Sequence, residues 1–212
     1  MLQVSEIFHS IQGESTHAGR PCVIVRLSGC NLRCAWCDTR YAFHDGRPMS
    51  VDEVLGEVAR HGCDLVELTG GEPLLQPEAT PLLGALLARG YGVLLETGGS
   101  LPIEDVPEGV VRIVDVKCPG SGEVLGNRWE NLDHLRERDA LKFVISGRQY
   151  YLWPADQVRE RRLASRCAVL FSPVHGALDP AELAGWILED RLPVRLQIQV
   201  HKVLWPDRSR GA

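Results

Sequence analysis

The chain has 212 residues, 44% of them apolar and 24% charged, which suits a protein with a buried core and excludes disordered and collagen-like architectures. Its formal charge of −5 speaks against direct nucleic-acid binding, which needs concentrated Lys and Arg. The start, Met1-Leu2-Gln3-Val4-Ser5-Glu6, resembles no leader, and no apolar run reaches the roughly 18 residues of a membrane span, so a cytoplasmic protein without a membrane partner is expected.

An extra strand is possible near Val4–Phe8, and Val23–Leu27 reads as the first firm strand. Ser50-Val51-Asp52-Glu53 is a capping box ahead of Val54, Leu55 and Val58, and Gly62 stops that helix. Strand Leu65–Leu68, helix Leu82–Ala88 closed by Arg89-Gly90, and strand Val93–Glu96 follow. The stretch from Thr97 to Gly109 carries Pro102 and Pro107 and is too broken for a crossover helix. Strands are then expected at Ile113–Val116, Leu141–Ile145, Ala168–Phe171 and Leu196–Val200. Between them lie helices Trp129–Arg138, Asp156–Ala164 and Ala181–Asp190, the last opened by Asp179-Pro180. Near-continuous apolar strands alternating with helices imply an α/β fold with a mostly parallel sheet. A full eightfold barrel takes ~250 residues, so a partial, open (β/α) barrel of six or seven strands with fewer helices is expected. With no linker or repeat in view, residues 1–212 read as a single domain.

Unusual residues gather where strands end, the rim at which such folds bind ligands. The first strand runs into Cys30-Asn31-Leu32-Arg33-Cys34-Ala35-Trp36-Cys37-Asp38-Thr39, with spacing Cys-x3-Cys-x2-Cys. Seven cysteines, an odd number, with three in eight positions do not make a disulfide framework. Soft thiolates select an iron–sulfur cluster or zinc, and three of them leave one iron open. A zinc site completed by His44, or fortuitous cysteines, are the alternatives. The next strands exit through Thr69-Gly70-Gly71-Glu72-Pro73, Glu96-Thr97-Gly98-Gly99 and Asp115-Val116-Lys117. The glycines let backbone approach a ligand, although a tight turn would look the same. Arg26, inside an apolar strand, needs an anion: either a structural carboxylate or a bound one.

Together these residues resemble the radical S-adenosylmethionine superfamily, through the cysteine loop and the Gly-Gly-Glu-Pro turn. Within it they are similar to the 7-carboxy-7-deazaguanine synthase family, through Ser10-Ile11-Gln12-Gly13-Glu14, Arg26–Leu32, Trp36-Cys37-Asp38-Thr39 and Gln199-Val200-His201-Lys202. The resemblance implies a radical-SAM-type partial barrel and a lyase of queuosine biosynthesis. That enzyme turns 6-carboxy-5,6,7,8-tetrahydropterin into 7-carboxy-7-deazaguanine, with ring contraction and loss of ammonia. It implies that Cys30, Cys34 and Cys37 hold a 4Fe–4S cluster and that Thr39 binds Mg²⁺. It places S-adenosylmethionine against Trp36, Cys37, Asp38, Gly71, Asp115, Val116, Lys117, Ser172, Pro173, Val174 and His175. It places the pterin against Ile11, Gln12, Gly13, Arg26, Thr69 and Pro206. A flavodoxin-type electron donor and a homodimer are family expectations. No general acid or base is named. Three departures stand out: Ser15 where the family usually has glycine, Gly99 where asparagine is common, and six residues after Pro206. Cys22, Cys63 and Cys167 are expected to pack, and Cys118 is left undecided. A glycyl-radical-enzyme activase and a zinc-binding, non-catalytic module are the competing readings.

Overall fold

The computed structural model describes residues 1–211, whose strands form one nine-stranded sheet. In chain order the elements are β1 (Leu2–Ile11), β2 (Pro21–Leu27), β3 (Arg47–Met49), α1 (Val51–Arg60), β4 (Leu65–Gly70), α2 (Ala79–Ala88) and β5 (Gly92–Thr97). These are followed by β6 (Val111–Val116), β7 (Ala140–Ile145), α3 (Arg148–Glu160), β8 (Ala168–Pro173), α4 (Pro180–Glu189), β9 (Arg195–Leu196) and α5 (Val200–Leu204). The sheet order is β3-β1-β2-β4-β5-β6-β7-β8-β9. From β2 to β9 every neighbouring pair is parallel, whereas β1 pairs antiparallel with β2 and β3. This is the open, mostly parallel barrel expected, extended by an antiparallel pair at its first edge.

The strands sort their side chains by parity. Val23, Val25, Val66, Leu68, Leu95 and Phe143 turn outward into the main core with the helices. Cys22, Ile24, Leu65, Leu94 and Ile113 face inward and form a second, small apolar plug. Above that plug the inward positions become polar: Arg26, Glu96, Asp115 and Lys142 face one cavity, and Glu67, level with Ile24 and Leu94 of the plug, faces it too. The strands are therefore buried on both faces, but the inner face is apolar only at its lower end.

The helices begin where backbone donors find acceptors. At α1 the Ser50 hydroxyl accepts from the Glu53 amide at 3.2 Å, and the Glu53 carboxylate accepts from the Ser50 amide at 2.6 Å. Asp179 caps α4 by accepting from the Ala181 amide at 2.8 Å. Helix α2 starts at Ala79 rather than Leu82, with Ala79 buried on the core. Helix α3 spans Arg148–Glu160 rather than Asp156–Ala164. Its N-cap is Gly147 without a side-chain cap, and Pro154 lies inside it, so the usual start signals are absent. The expected helix Trp129–Arg138 is a 3₁₀ segment, Trp129–His134. There the Asn131 side-chain amide donates to the Gly99 and Leu101 carbonyls at 3.2 and 2.9 Å, tying the segment to the loop after β5. No helix joins β5 to β6 among the described residues, as the prolines imply.

The C-terminal strand is a correction. Arg195–Leu196 pair with β8 and the Gln197 amide still donates to the Phe171 carbonyl at 2.8 Å, but the residues after Gln197 leave the sheet. Instead the Val200 amide donates to the Gly13 carbonyl at 2.9 Å, and the Gln199 amide group donates to Glu14 at 2.7 Å. Residues 199–204 thereby strap across the open top of the barrel. Cys22, Cys118 and Cys167 are buried, and Cys63 packs on the core. Among the described residues no helix is long and apolar enough to cross a membrane.

Candidate active site

A cavity of about 510 Å³ opens at the carboxyl ends of the parallel strands. One wall is the loop after β2, which carries Cys30, Cys34 and Cys37, all half-buried and none in a disulfide. Backbone bonds fix this loop from three sides. Gly29 donates to Ala42 at 2.8 Å, Ala35 donates to Ser121 at 2.9 Å, and Gly29 accepts from Glu72 at 2.8 Å. Burial pushes the Cys30 and Cys34 thiols up, while Lys117 acts on both in the opposite direction. His44 does not line the cavity. Among the described residues no three His, Cys, Asp or Glu side chains are gathered tightly enough to hold a single metal ion. Three separate thiols sharing one roomy cavity suit a multinuclear iron–sulfur cluster instead.

The glycine exits bring backbone against this loop. A Cβ on Gly71 would lie 2.2 Å from the Gly29 carbonyl oxygen and 2.7 Å from the Cys30 Cβ. Glu72 ties two exits together. Its carboxylate accepts from the Thr97 hydroxyl at 2.8 and 2.9 Å, from the Gly98 amide at 2.7 Å and from the Leu74 amide at 3.0 Å. Glu72 is therefore a buried brace. The left-handed turn after Glu14 is also kept, since Ser15 takes φ 64° where a glycine would be at ease. At Gly99, φ is 70° and a Cβ would meet Val114 at 2.9 Å, which accounts for the residue chosen there.

The charges on the inner face are paired in a network. Lys142 on β7 donates to Glu14 at 2.7 Å and to Glu96, and lies 3.7 Å from Asp115. Asp115 also pairs with Lys117 at 3.0 Å. Burial alone would raise Glu14 and Asp115; Lys142 for the first and Lys117 with Lys142 for the second hold them below the usual range. Glu96 stays above it, because burial and Glu14 outweigh Lys142. Burial lowers Lys142, but its three carboxylates overcome that and raise it well above an ordinary lysine.

The strap closes the top. Lys202 donates to Asp38 at 2.6 Å and Gln199 reaches the same oxygen at 3.3 Å. Burial raises Asp38, yet these contacts bring it down to about 2. Gly13 lies flat beneath His201, where a Cβ would sit 2.0 Å from Nδ1. Burial lowers His201 below the ordinary histidine value.

Apart from Ile11, Val116 and Pro206, every site residue expected from the sequence lines this cavity. Val116 points into the main core. Arg26 satisfies the structural reading, with Nε on Glu6 at 2.8 Å while Tyr41 also donates to Glu6 at 2.7 Å. It nevertheless faces the cavity. Glu67 and Lys142 had no role in the sequence reading. The available signal was parity, since both share the inward register of Arg26, Glu96 and Asp115.

The radical SAM superfamily model matches residues 24–114. A 7-carboxy-7-deazaguanine synthase of Koribacter versatilis is 48% identical, covering 99% of this chain and all (100%) of that protein. One from Chlorobaculum tepidum is 45% identical over 99% of this chain and 97% of its own length. The crystal structure of QueE from Escherichia coli covers 94% of both chains with a TM-score of 0.74 at 22% identity, a likeness of fold. The cysteine loop, the glycine exits and this near-complete match agree, and the chain belongs to the 7-carboxy-7-deazaguanine synthase family of radical SAM enzymes.

Proposed function

We propose that this chain converts 6-carboxy-5,6,7,8-tetrahydropterin to 7-carboxy-7-deazaguanine with loss of ammonia, as one catalytic domain over its whole length. The observation that carries this reading is one cavity that joins three free thiols to Arg26 and to the charged side chains of the inner strand face. Cys30, Cys34 and Cys37 would hold the 4Fe–4S cluster. When bound, cluster and S-adenosylmethionine supply a 5′-deoxyadenosyl radical that takes hydrogen from the substrate.

The protein's part is to orient and to exclude. Gly71 backbone, Asp115, Lys117 and Ser172-Pro173-Val174-His175 flank the space for S-adenosylmethionine, beside Trp36 and Asp38, while the Val116 side chain stays in the core between Asp115 and Lys117. Arg26 and Thr69 face the pterin acid, with Ile11 at the end of β1, Gln12 and Gly13 on the turn that follows it, and Pro206 beyond the strap. Arg26 keeps its Nη groups free of hydrogen bonds among the described residues, so a substrate carboxylate can take them. Thr39 would bind Mg²⁺ through its hydroxyl, a hard oxygen donor suited to that ion. The strap, held by Lys202 and Gln199, borders the opening beside Asp38. A flavodoxin-type donor, a homodimer and a cytoplasmic location belong to the same proposal.

The test is anaerobic turnover with reductant, S-adenosylmethionine, Mg²⁺ and the pterin, read by mass spectrometry. Pterin-dependent 7-carboxy-7-deazaguanine supports the reading; 5′-deoxyadenosine without any deazapurine rejects the substrate. Cys34→Ala is expected to abolish cluster assembly, whereas Cys63→Ala, packed on the core, keeps it; equal iron in both variants overturns the ligand assignment. Thr39→Ala should raise the Mg²⁺ needed for half-maximal turnover and leave iron content unchanged. A parent-like Mg²⁺ titration removes Thr39 as the ligand.

A further inference from the structure

Glu67 lies in the middle of β4, 4% exposed, with its side chain on the cavity. By register it stands beside Ile24 of β2 and Leu94 of β5. It is thus one inward position, two residues or about 6.6 Å, below Arg26, Thr69 and Glu96. That level belongs to the apolar plug, where a carboxyl group is costly unless something answers it.

The fold does not supply that answer. Arg26 is bound to Glu6, and Lys142 is shared by Glu14, Glu96 and Asp115. Among the described residues Glu67 forms no ion pair. Its side-chain hydrogen bond comes from a neutral group, Gln12 Nε2 to Oε1 at 3.0 Å. Gln12 is itself occupied, since its Oε1 accepts from the Glu14 amide at 2.7 Å and the residue is 2% exposed. Gln12 therefore aims Glu67, and Glu67 is the group turned to the cavity.

A carboxylate offers two acceptor oxygens side by side. Its matching ligand feature is a ring N–H next to an exocyclic amino group, which presents two parallel donors. The aminopyrimidinone half of a pterin carries that edge, at the opposite end from the acid that faces Arg26. Resting on the pterin reading above, we propose that Glu67 reads the 2-amino group of the substrate and that Gln12 is its positioning residue.

The protonation state gives this proposal a second readout. Burial and the neighbouring Glu96 push Glu67 up to about 8, with Glu14 adding to them and Gln12 and Arg26 opposing. The groups facing it are Glu96 from β5, Glu14 from the β1–β2 turn, and Arg26 and Cys22 from β2. Near neutral pH the free protein keeps this carboxyl protonated. Two N–H donors favour the carboxylate, so ligand binding releases the proton to the buffer.

The experiment is anaerobic equilibrium dialysis of the reconstituted protein, loaded with S-adenosylmethionine and Mg²⁺. The probes are 6-carboxypterin and its 2-oxo analogue 6-carboxylumazine. The parent should prefer the 2-amino ligand by on the order of 100-fold. In Glu67→Gln that ratio should fall to near one with iron content unchanged, Glu67→Asp should recover part of it, and Gln12→Met should lose part. Calorimetry at pH 7 in buffers of different ionisation heat should show proton release for the parent and none for Glu67→Gln. An unchanged ratio in Glu67→Gln, or an equal loss for both probes, overturns the proposal. A parent that binds neither probe rejects the pterin reading, and this proposal with it.

Discussion

Replacing Lys142 with methionine is expected to cost about 3–5 kcal/mol of stability, because it leaves buried carboxylates without their cation. Methionine nearly matches the lysine stem in volume, so packing changes little while the charge disappears. Lys142 is 6% exposed and serves Glu14, Glu96 and Asp115 together, and only Asp115 has a second basic partner, Lys117. The pH dependence should steepen as well. In the parent, Glu14 and Asp115 sit below their ordinary values. Their contribution is present above the unfolded carboxylate range and is lost as pH falls through the folded values. Lys142 is raised, so its contribution is present below the unfolded lysine value of about 10.4 and is lost only at higher pH. Around neutrality these three groups add no slope in the parent, and its gain in stability as pH falls comes from the raised Glu67 and Glu96. Without Lys142, burial is opposed by no cation at Glu96 and only by the neutral Gln199 hydrogen bond at Glu14, and both then titrate above their unfolded values. The resulting destabilisation is relieved as pH falls, so between pH 8 and pH 5 the variant should gain stability more steeply than the parent, in which the raised Glu67 already gives a gain in that direction. Urea unfolding across that range measures both effects. A loss below about 1 kcal/mol with a parent-like pH slope would show that the network does not need its lysine.

The same network shows what a linear reading reaches. The parallel strands were legible because each is a short apolar, β-branched run, and α1 and α4 because their caps are local side-chain signals. The cysteine loop and the glycine exits were legible because their chemistry is concentrated in a few consecutive residues. Lys142 was not, since its meaning lies in Glu14, 128 positions away, and Glu96, 46 positions away. Only the inward parity it shares with Arg26, Glu67, Glu96 and Asp115 marks it in advance. The strap failed for a different reason. Leu196, Ile198 and Val200 alternate as a strand would, but at the sheet edge only β8 offers pairing. Polar bonds to Gly13, Glu14 and Asp38 outweigh that edge, and alternation alone does not encode such competition.

Gly71→Ala carries the second large effect, and it separates positioning from folding. The added methyl group would stand 2.2 Å from the Gly29 carbonyl oxygen and 2.7 Å from the Cys30 Cβ. Neither neighbour is a flexible side-chain tip. The turn is also clamped on both sides of the substitution, by Gly71 N to Leu27 O at 3.1 Å and Glu72 N to Gly29 O at 2.8 Å. Relief therefore has to come from moving the turn away from the cysteine loop. Overpacking of this kind costs about 1–3 kcal/mol, which a chain of this size can survive. The chemistry has less tolerance, because a displacement of about 1 Å is enough to cost roughly 100-fold in rate. The expected result is a folded variant with at least that loss in 5′-deoxyadenosine formation and weaker S-adenosylmethionine binding. Gly56→Ala is the matched control: it lies on the exposed face of α1 with no atom within 4 Å of the new Cβ. That change should add about 0.5–1 kcal/mol of stability and leave turnover alone. Equal turnover in the two variants would mean that the cysteine loop does not depend on its contact with the turn after β4.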